Sequence, residues 1–332
     1  MRFVLFSLIF FYSCANGAKT FSDDSLVKKS NSLLLYELQN KQFCKNVVGI
    51  VNPLTKCNEN YIFDRALYDL KVDTLPQVKF WRSIMNLHQD SALMNFAANR
   101  HVIQKVNIKE WECQEDCIKK SYRDSVRMVR NLDSTNRVLF TTGKKFFYDF
   151  DKTSQNFHLG INCFIDNGVD PWFAQAILLI ESPNKLQKSN VGAYGPFQLM
   201  KDVARMYGLK VNKTVDERAD FARSAYAASS LIKKICIPRA HKMLDSLNIR
   251  NFSEDELWFK LLVMHIYHAG AYNVQNALFA SNPTAGNMDL IFNLWQTQTG
   301  RFKSASQNYS QLILAAMLEM NERRINLLAT AK

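Results

Sequence analysis

The chain has 332 residues, which is enough for one large domain or two smaller ones with cores of their own. Hydrophobic residues make up 47% and charged residues 22%, as in ordinary soluble globular proteins, and after the N-terminus no apolar run reaches the roughly 18 residues of a membrane span. The net charge of +12 comes from scattered Lys and Arg, which argues against nucleic-acid binding and favours a basic surface that attracts anionic polymers.

The first 17 residues have the pattern of a secretory signal peptide. Arg2 is followed by an apolar stretch from Phe3 to Tyr12 and then by small residues, with cleavage expected near Gly17. Cys14 ends the apolar stretch, so a lipidated Cys14 that anchors the protein to a membrane is an alternative, as in an outer-membrane lipoprotein. We therefore expect an exported protein of the periplasm or cell envelope.

Six cysteines remain if Cys14 is removed or lipidated. Cys44 with Cys57, and Cys163 with Cys236, are candidate disulfide pairs, but connectivity does not follow from a sequence. The paired-cysteine spacing of zinc sites is absent, and nothing in the sequence requires a metal or another cofactor.

Helical periodicity runs through nearly every long segment, and Gly and Pro are few (11 and 7), so we predict a predominantly all-α protein. We divide it into a signal peptide (1–17), a helical N-terminal region (18–150), a denser helical domain (151–289) and C-terminal helices that pack on that domain (290–332). The helices predicted in the N-terminal region are Ser30–Lys41, Gln77–Asn86, Ser91–Lys105 and Ile108–Asn131.

Two helices of the denser domain have a clear pattern. Residues 172–180 are apolar except for Gln175, so this helix should be buried on nearly all sides. Ser253 and Glu256 form a capping box that opens a second apolar helix over 257–269.

Glu181 directly follows the apolar run 176–180. Desolvation and the negative end of the helix dipole both disfavour the charged carboxylate, so we expect a raised pKa. A raised pKa suits a general acid that works near neutral pH. The same position also fits a Glu that simply emerges into solvent where its helix ends.

Residues 189–200 predict a glycine-bearing turn that leads into another helix. Small residues let the backbone approach a ligand closely. Phe197, Gln198 and Met200 would then offer an aromatic face, an amide and a soft apolar contact, a mixture that suits a sugar.

In order and spacing, these segments resemble the lytic transglycosylase domain of the soluble-lytic-transglycosylase and goose-lysozyme superfamily. The matching motifs are Glu181-Ser182, Gly192-Ala193-Tyr194-Gly195-Pro196-Phe197-Gln198 and Tyr267-His268-Ala269-Gly270. Residues 215–228 are also similar to membrane-bound lytic transglycosylases of the D type. The resemblance covers about 157–285 and implies a lysozyme-like fold for that part of the chain.

The resemblance makes Glu181 the sole catalytic acid and base, with Tyr267 hydrogen-bonded near it. Taken with the turn, the expected substrate-binding residues are Ser182, Tyr194, Phe197, Gln198, Met200 and Tyr267. Pro196, Phe197 and His268 depart from the usual residues beside the key positions, which bears on substrate preference more than on activity.

The implied activity is cleavage of the β-1,4 bond between N-acetylmuramic acid and N-acetylglucosamine in bacterial peptidoglycan. A lytic transglycosylase closes a 1,6-anhydro ring within the substrate and needs no second carboxylate. A lysozyme-like hydrolase of the same bond and a non-catalytic glycan-binding protein of the envelope are the alternatives. His265 and His268 are three residues apart without a third ligand, so we favour packed histidines over a metal site.

Overall fold

A computed structural model describes residues 47–51, 58–181 and 188–330. The described chain is predominantly helical, which confirms the predicted fold class. The predicted signal peptide, the predicted helix Ser30–Lys41 and the residues Cys14, Cys44, Cys57 and Ser182 lie outside the described ranges. Among the helices described, none combines the length and apolarity that a bilayer crossing needs.

The first half of the described chain mixes short strands with helices. In chain order the elements are β1 Val47–Val51, β2 Asn58–Ile62, α1 Ala66–Asp69, α2 Pro76–Asn86, β3 Ser91–Phe96, β4 Val102–Asn107, α3 Ile108–Glu112, α4 Asp116–Val129 and β5 Val138–Thr142. Strands β1 and β2 pair antiparallel, and a second antiparallel sheet has the order β4-β3-β5. Helix α2 confirms the predicted helix Gln77–Asn86.

The predicted helix Ser91–Lys105 is wrong, because these residues form β3, a turn and most of β4. Strand β3 is central in its sheet and buried on both faces, so its residues lack the alternation of polar and apolar side chains that marks a half-buried strand. The turn is completed by Arg100 with a left-handed backbone (φ 60°). The predicted helix Ile108–Asn131 is interrupted between α3 and α4.

The second half of the described chain is helical. Its elements are α5 Phe150–Ser154, α6 Phe157–Asp166, α7 Trp172–Glu181, α8 Lys201–Met206, α9 Phe221–Leu231, a π-helical segment Ile232–Cys236, α10 Ile237–Ser246, α11 Leu257–Ala269, α12 Ala271–Ser281, α13 Met288–Gln296 and α14 Ser304–Thr330. Cys163 and Cys236 are free thiols, so the candidate disulfide between them is absent from this structure.

Helices α7 and α11 form the centre of the main hydrophobic core. Every residue from Trp172 to Ile180 is buried, as the apolar pattern predicts. Helix α11 has the predicted bounds, but only half of the predicted capping box forms. The Ser253 N–H donates to Glu256 Oε1 at 2.8 Å, whereas the Ser253 hydroxyl accepts from the Asp255 N–H at 3.2 Å and does not cap the helix. Glu181 is the last residue of α7 and the first residue of this helix that is not fully buried in the core.

Gln175 is the polar exception on α7, and it ties this helix to β2. The Ile62 N–H donates to Gln175 Oε1 at 2.7 Å, and Gln175 Nε2 donates to the Ile62 carbonyl at 2.9 Å. The Gln175 amide therefore makes the same two hydrogen bonds to Ile62 that the backbone of a neighbouring β-strand would make.

Replacing Gln175 with Leu is expected to lower the free energy of unfolding by about 2–4 kcal/mol, because the buried Ile62 N–H and carbonyl would both lose their partner. Urea unfolding followed by circular dichroism measures this change. Gln296→Leu is a suitable control, since Gln296 donates to the Ala98 carbonyl at the exposed surface and should change stability by less than about 0.5 kcal/mol. Equal losses in the two variants would contradict the role given to Gln175.

The long helix α14 joins the two halves of the described chain. It packs against α2, α7 and α11. Trp81 Nε1 donates to Gln311 Oε1 at 2.9 Å, Arg82 pairs with Glu319 at 3.2 Å, and an Arg100 guanidinium nitrogen donates to Asn308 Oδ1 at 2.6 Å. The N-terminal half of the described chain thus holds α14 in place against α7.

Candidate active site

Glu181 faces a cavity of about 190 Å³ at the C-terminal end of α7. Of the residues predicted for the site, Glu181, Gln198, Met200 and Tyr267 line this cavity. Further lining residues, which the sequence did not single out for binding, are Ser189, Val191, Ala193, Leu199, Val203, Leu231 and His268. The cavity thus brings the end of α7, the turn 189–200 and the end of α11 together.

Burial raises the pKa of Glu181 from 4.5 to about 7. A hydrogen bond from the Tyr309 hydroxyl to Glu181 Oε1, at 2.8 Å, opposes this rise because it stabilises the charged carboxylate. The result is a carboxyl group that holds its proton for much of the time near neutral pH. This is the property that a general acid requires.

Three tyrosines lie around Glu181: Tyr148, Tyr267 and Tyr309. Burial, and then the negative charge of Glu181, raise the pKa of all three hydroxyls. Tyr267 lies near Glu181, as the family resemblance implied, and its hydroxyl donates to the Phe197 carbonyl at 2.6 Å rather than to Glu181 itself. The hydroxyl that bonds to Glu181 belongs to Tyr309 on α14.

Tyr309 was not predicted from the sequence. His265 and His268 of α11 pack near it. The His268 ring stacks on the Tyr309 ring with centroids 4.1 Å apart, and His265 Nε2 lies 2.8 Å from the Ser310 hydroxyl. Both histidines thus pack against the first turns of α14. Within the described residues, no cluster of three or more His, Cys, Asp or Glu side chains could hold a metal ion.

The turn 189–200 closes on itself through two backbone hydrogen bonds. The Tyr194 N–H donates to the Leu199 carbonyl at 3.1 Å, and the Leu199 N–H donates to the Tyr194 carbonyl at 3.0 Å. Gly195 has φ 87°, and a β-carbon there would lie 1.8 Å from the Arg218 carbonyl oxygen, so the position requires glycine. Gln198 adopts a left-handed backbone with φ 45°, a strained conformation for a residue with a side chain.

The turn presents a different set of side chains to the cavity from the one that the sequence suggested. Gln198 and Met200 line the cavity. Phe197 is fully buried and stacks on Phe164 with centroids 5.7 Å apart, so the expectation that its ring faces a sugar is wrong. Tyr194 is absent from the cavity lining, and its ring lies under the Arg218 guanidinium, 5.5 Å from the ring centroid.

Arg218 clamps the turn from behind. Its side chain is almost completely buried, and one guanidinium nitrogen donates to the carbonyls of Gly192 and Leu199, each at 2.9 Å. The other nitrogens pair with Asp216 at 2.7 and 2.8 Å. Hydrogen bonds from Arg218 lower the pKa of Asp216, so this carboxylate is not available as a second catalytic acid.

Replacing Arg218 with Ala is expected to lower the free energy of unfolding by about 3–5 kcal/mol, because Asp216 and the carbonyls of Gly192 and Leu199 all lose their bonds to the buried guanidinium. Thermal and urea unfolding measure this loss. Arg223 is the matched control, since it pairs with Glu217 and the Gly208 carbonyl from a largely exposed position. Arg223→Ala should cost less than about 1 kcal/mol. A similar cost for both would show that Arg218 does not clamp the turn.

Residues 165–284 match the family model of the transglycosylase SLT domain. A comparison with curated proteins finds no match. The matched segment contains Glu181 and the cavity-lining residues Gln198 and Tyr267, and it supports glycan cleavage of the lytic-transglycosylase type with peptidoglycan as the substrate. Tyr148 and Tyr309 lie outside the matched segment.

Proposed function

We propose that this protein is a peptidoglycan lytic transglycosylase that cleaves the β-1,4 bond between N-acetylmuramic acid and N-acetylglucosamine. The observation that carries the proposal is the half-buried carboxyl group of Glu181, which lies at the wall of a cavity and has its pKa raised to about 7 by desolvation. The SLT domain match supports the substrate class. The turn 189–200 and the end of α11 supply the amide, aromatic and apolar groups that a sugar requires.

In the proposed reaction, Glu181 first acts as an acid. It gives its proton to the oxygen that joins the two sugars, and the bond from this oxygen to C1 of N-acetylmuramic acid breaks. The carbonyl oxygen of the 2-acetamido group stabilises the positive charge that develops at C1, so the substrate performs the role of a second carboxylate.

Glu181 then acts as a base. It takes the proton from the C6 hydroxyl of the same sugar, and the C6 oxygen bonds to C1 to close a 1,6-anhydro ring. The attacking hydroxyl is held within the substrate, which gives it a proximity advantage over water. Two carboxylates that follow the turn in the chain are already paired, Asp216 with Arg218, and Glu217 with Arg223 and the Lys210 N–H, so neither is assigned the role of a second catalytic carboxylate.

Digestion of purified peptidoglycan sacculi tests this proposal. We expect soluble products whose N-acetylmuramic acid ends are lighter by one water than reducing ends, and we expect Glu181→Gln to form these products at least about 100-fold more slowly. Mass spectrometry separates the alternatives. Reducing ends alone would favour the lysozyme-like hydrolase, whereas binding without cleavage by the unaltered protein would favour a glycan-binding protein.

The proposal includes export of the protein, because peptidoglycan lies outside the cytoplasm. It also includes a relationship to the D-type lytic transglycosylases. The pattern of residues 1–17 supports a cleaved signal peptide, with lipidation of Cys14 as the alternative. The stretch 215–228 supports a relationship to D-type enzymes. The intact mass of the mature protein distinguishes a chain that begins at Ala18 from one that begins at an acylated Cys14.

A further inference from the structure

Helix α12 carries an exposed face with an unusual composition. Its sequence, Ala271–Ser281, contains no Asp, Glu, Lys or Arg, although the chain as a whole is 22% charged. A surface helix ordinarily carries charged residues on its solvent side. Here the solvent side carries aromatic rings and amides instead: Tyr272 is 74% exposed, Phe279 is 40% exposed, and Asn276 between them is also exposed.

The spacing of these residues places them on one stripe of the helix. Tyr272 and Phe279 are seven residues apart, or two helical turns, and Asn276 follows Tyr272 by four residues. The two rings are therefore separated by about 10 Å along the helix axis. That distance is close to the length of two β-1,4-linked sugar rings, so the rings recur with the period of a disaccharide.

The stripe follows closely in the chain on residues of the candidate active site. Helix α11 ends with the lining residues Tyr267 and His268, Gly270 turns the chain with φ 79°, and α12 starts at Ala271. Val191 and Met200, which also line the cavity, are themselves exposed apolar side chains. The chain thus leads from the cavity lining, at Tyr267 and His268, directly into an uncharged helix with an exposed aromatic stripe.

We infer that the stripe Tyr272–Asn276–Phe279 binds the glycan strand where it extends beyond the cavity. This inference rests on the proposed function and adds a second binding surface for the same substrate. Aromatic rings cover the apolar faces of sugar rings, and the Asn276 amide can bond to hydroxyl and acetamido groups at their edges. The lack of charge fits the N-acetylglucosamine units of the strand better than an acidic peptide or a nucleic acid.

The test measures binding as a function of glycan length. Full-length Glu181→Gln protein is titrated calorimetrically with β-1,4-linked N-acetylglucosamine oligosaccharides of increasing length. We expect affinity to rise as the oligosaccharide becomes longer than the cavity, and this gain to fall by roughly five- to tenfold when Tyr272→Ala or Phe279→Ala is added. Tyr272→Phe should keep the gain, because it keeps the ring.

An exposed side chain on a helix far away in the chain serves as the control. Met128 is as exposed as Tyr272, at 75%, but lies on α4, so Met128→Ala should leave the length dependence unchanged. A gain in affinity that survives both alanine substitutions, or no gain at all, would overturn the inference. So would a self-association of the chain, seen by analytical ultracentrifugation, that Tyr272→Ala abolishes. Failure of the proposed function would appear separately, as sacculi left undigested by the unaltered protein.

Discussion

Replacing Glu181 with Gln is expected to lower glycan cleavage by roughly 10²–10⁴-fold and, unusually for an active-site change, to stabilise the fold above pH 7. Cleavage falls because Glu181 is the proposed acid and base of the reaction. Stability rises because the folded protein disfavours the charged carboxylate, and burial raises its pKa from 4.5 to about 7.

The sign follows from proton binding. Between pH 4.5 and 7 the folded protein retains a proton on Glu181 that the unfolded chain releases, so the free energy of unfolding decreases as pH rises through this window. The amide in the variant does not titrate. The variant should therefore match the unaltered protein below pH 4.5 and exceed it by at most about 3 kcal/mol above pH 7.

Urea unfolding at pH 4.5 and pH 8 measures the difference. Glu217→Gln is the opposite control, because the Lys210 N–H lowers the pKa of Glu217, and this variant should lose stability at pH 8. A Glu181→Gln protein that is less stable at pH 8 than the unaltered one would show that the carboxyl group is not disfavoured in its charged form.

Replacing Tyr309 with Phe is expected to move the alkaline limb of the pH–activity profile upward by roughly one pH unit. In the unaltered protein, activity should decline as pH rises through about 7, because Glu181 must be protonated to act as an acid. The Tyr309 hydroxyl stabilises the carboxylate, so its removal raises the pKa of Glu181 further. We also expect roughly tenfold slower turnover at low pH, since the carboxyl group loses the bond that orients it.

Profiles of kcat/KM against pH on soluble peptidoglycan strands check this expectation. Tyr267→Phe is the matched control, because it removes a hydroxyl from the same cavity whose bond goes to the Phe197 carbonyl. Its alkaline limb should remain near that of the unaltered protein. Identical shifts in both variants would show that the bond from Tyr309 has no specific effect on the pKa of Glu181.

Local signals in the sequence were sufficient for the central helices. The pattern of 172–180, which is apolar except for Gln175, predicts α7, and the residues Ser253 and Glu256 before 257–269 predict the start of α11. Both predictions depend only on residues that are close together in the sequence. The prediction over Ser91–Lys105 failed, since a strand buried on both faces has no alternation to distinguish it from a helix.

The site was predictable only where its residues share a motif. Glu181, Gln198 and Tyr267 belong to three recognisable segments, and all three line the cavity. Phe197 was misassigned because a motif does not say which of its side chains turn toward the core. Tyr309 was missed because it lies on α14, 128 residues from its partner, where nothing in the neighbouring sequence marks it as different from other buried residues of that helix.

The separation of Glu181 and Tyr309 by 128 residues also affects the order in which the site forms during synthesis. Synthesis proceeds from the N-terminus, so the ribosome completes α7 long before it completes α14. An unfinished chain therefore holds the acid without the hydroxyl that orients it and without the helix that packs against α7. The proposed catalytic group becomes fully assembled only when α14, the last helix described, has been made and has docked, so the proposed activity cannot begin before that stage of synthesis.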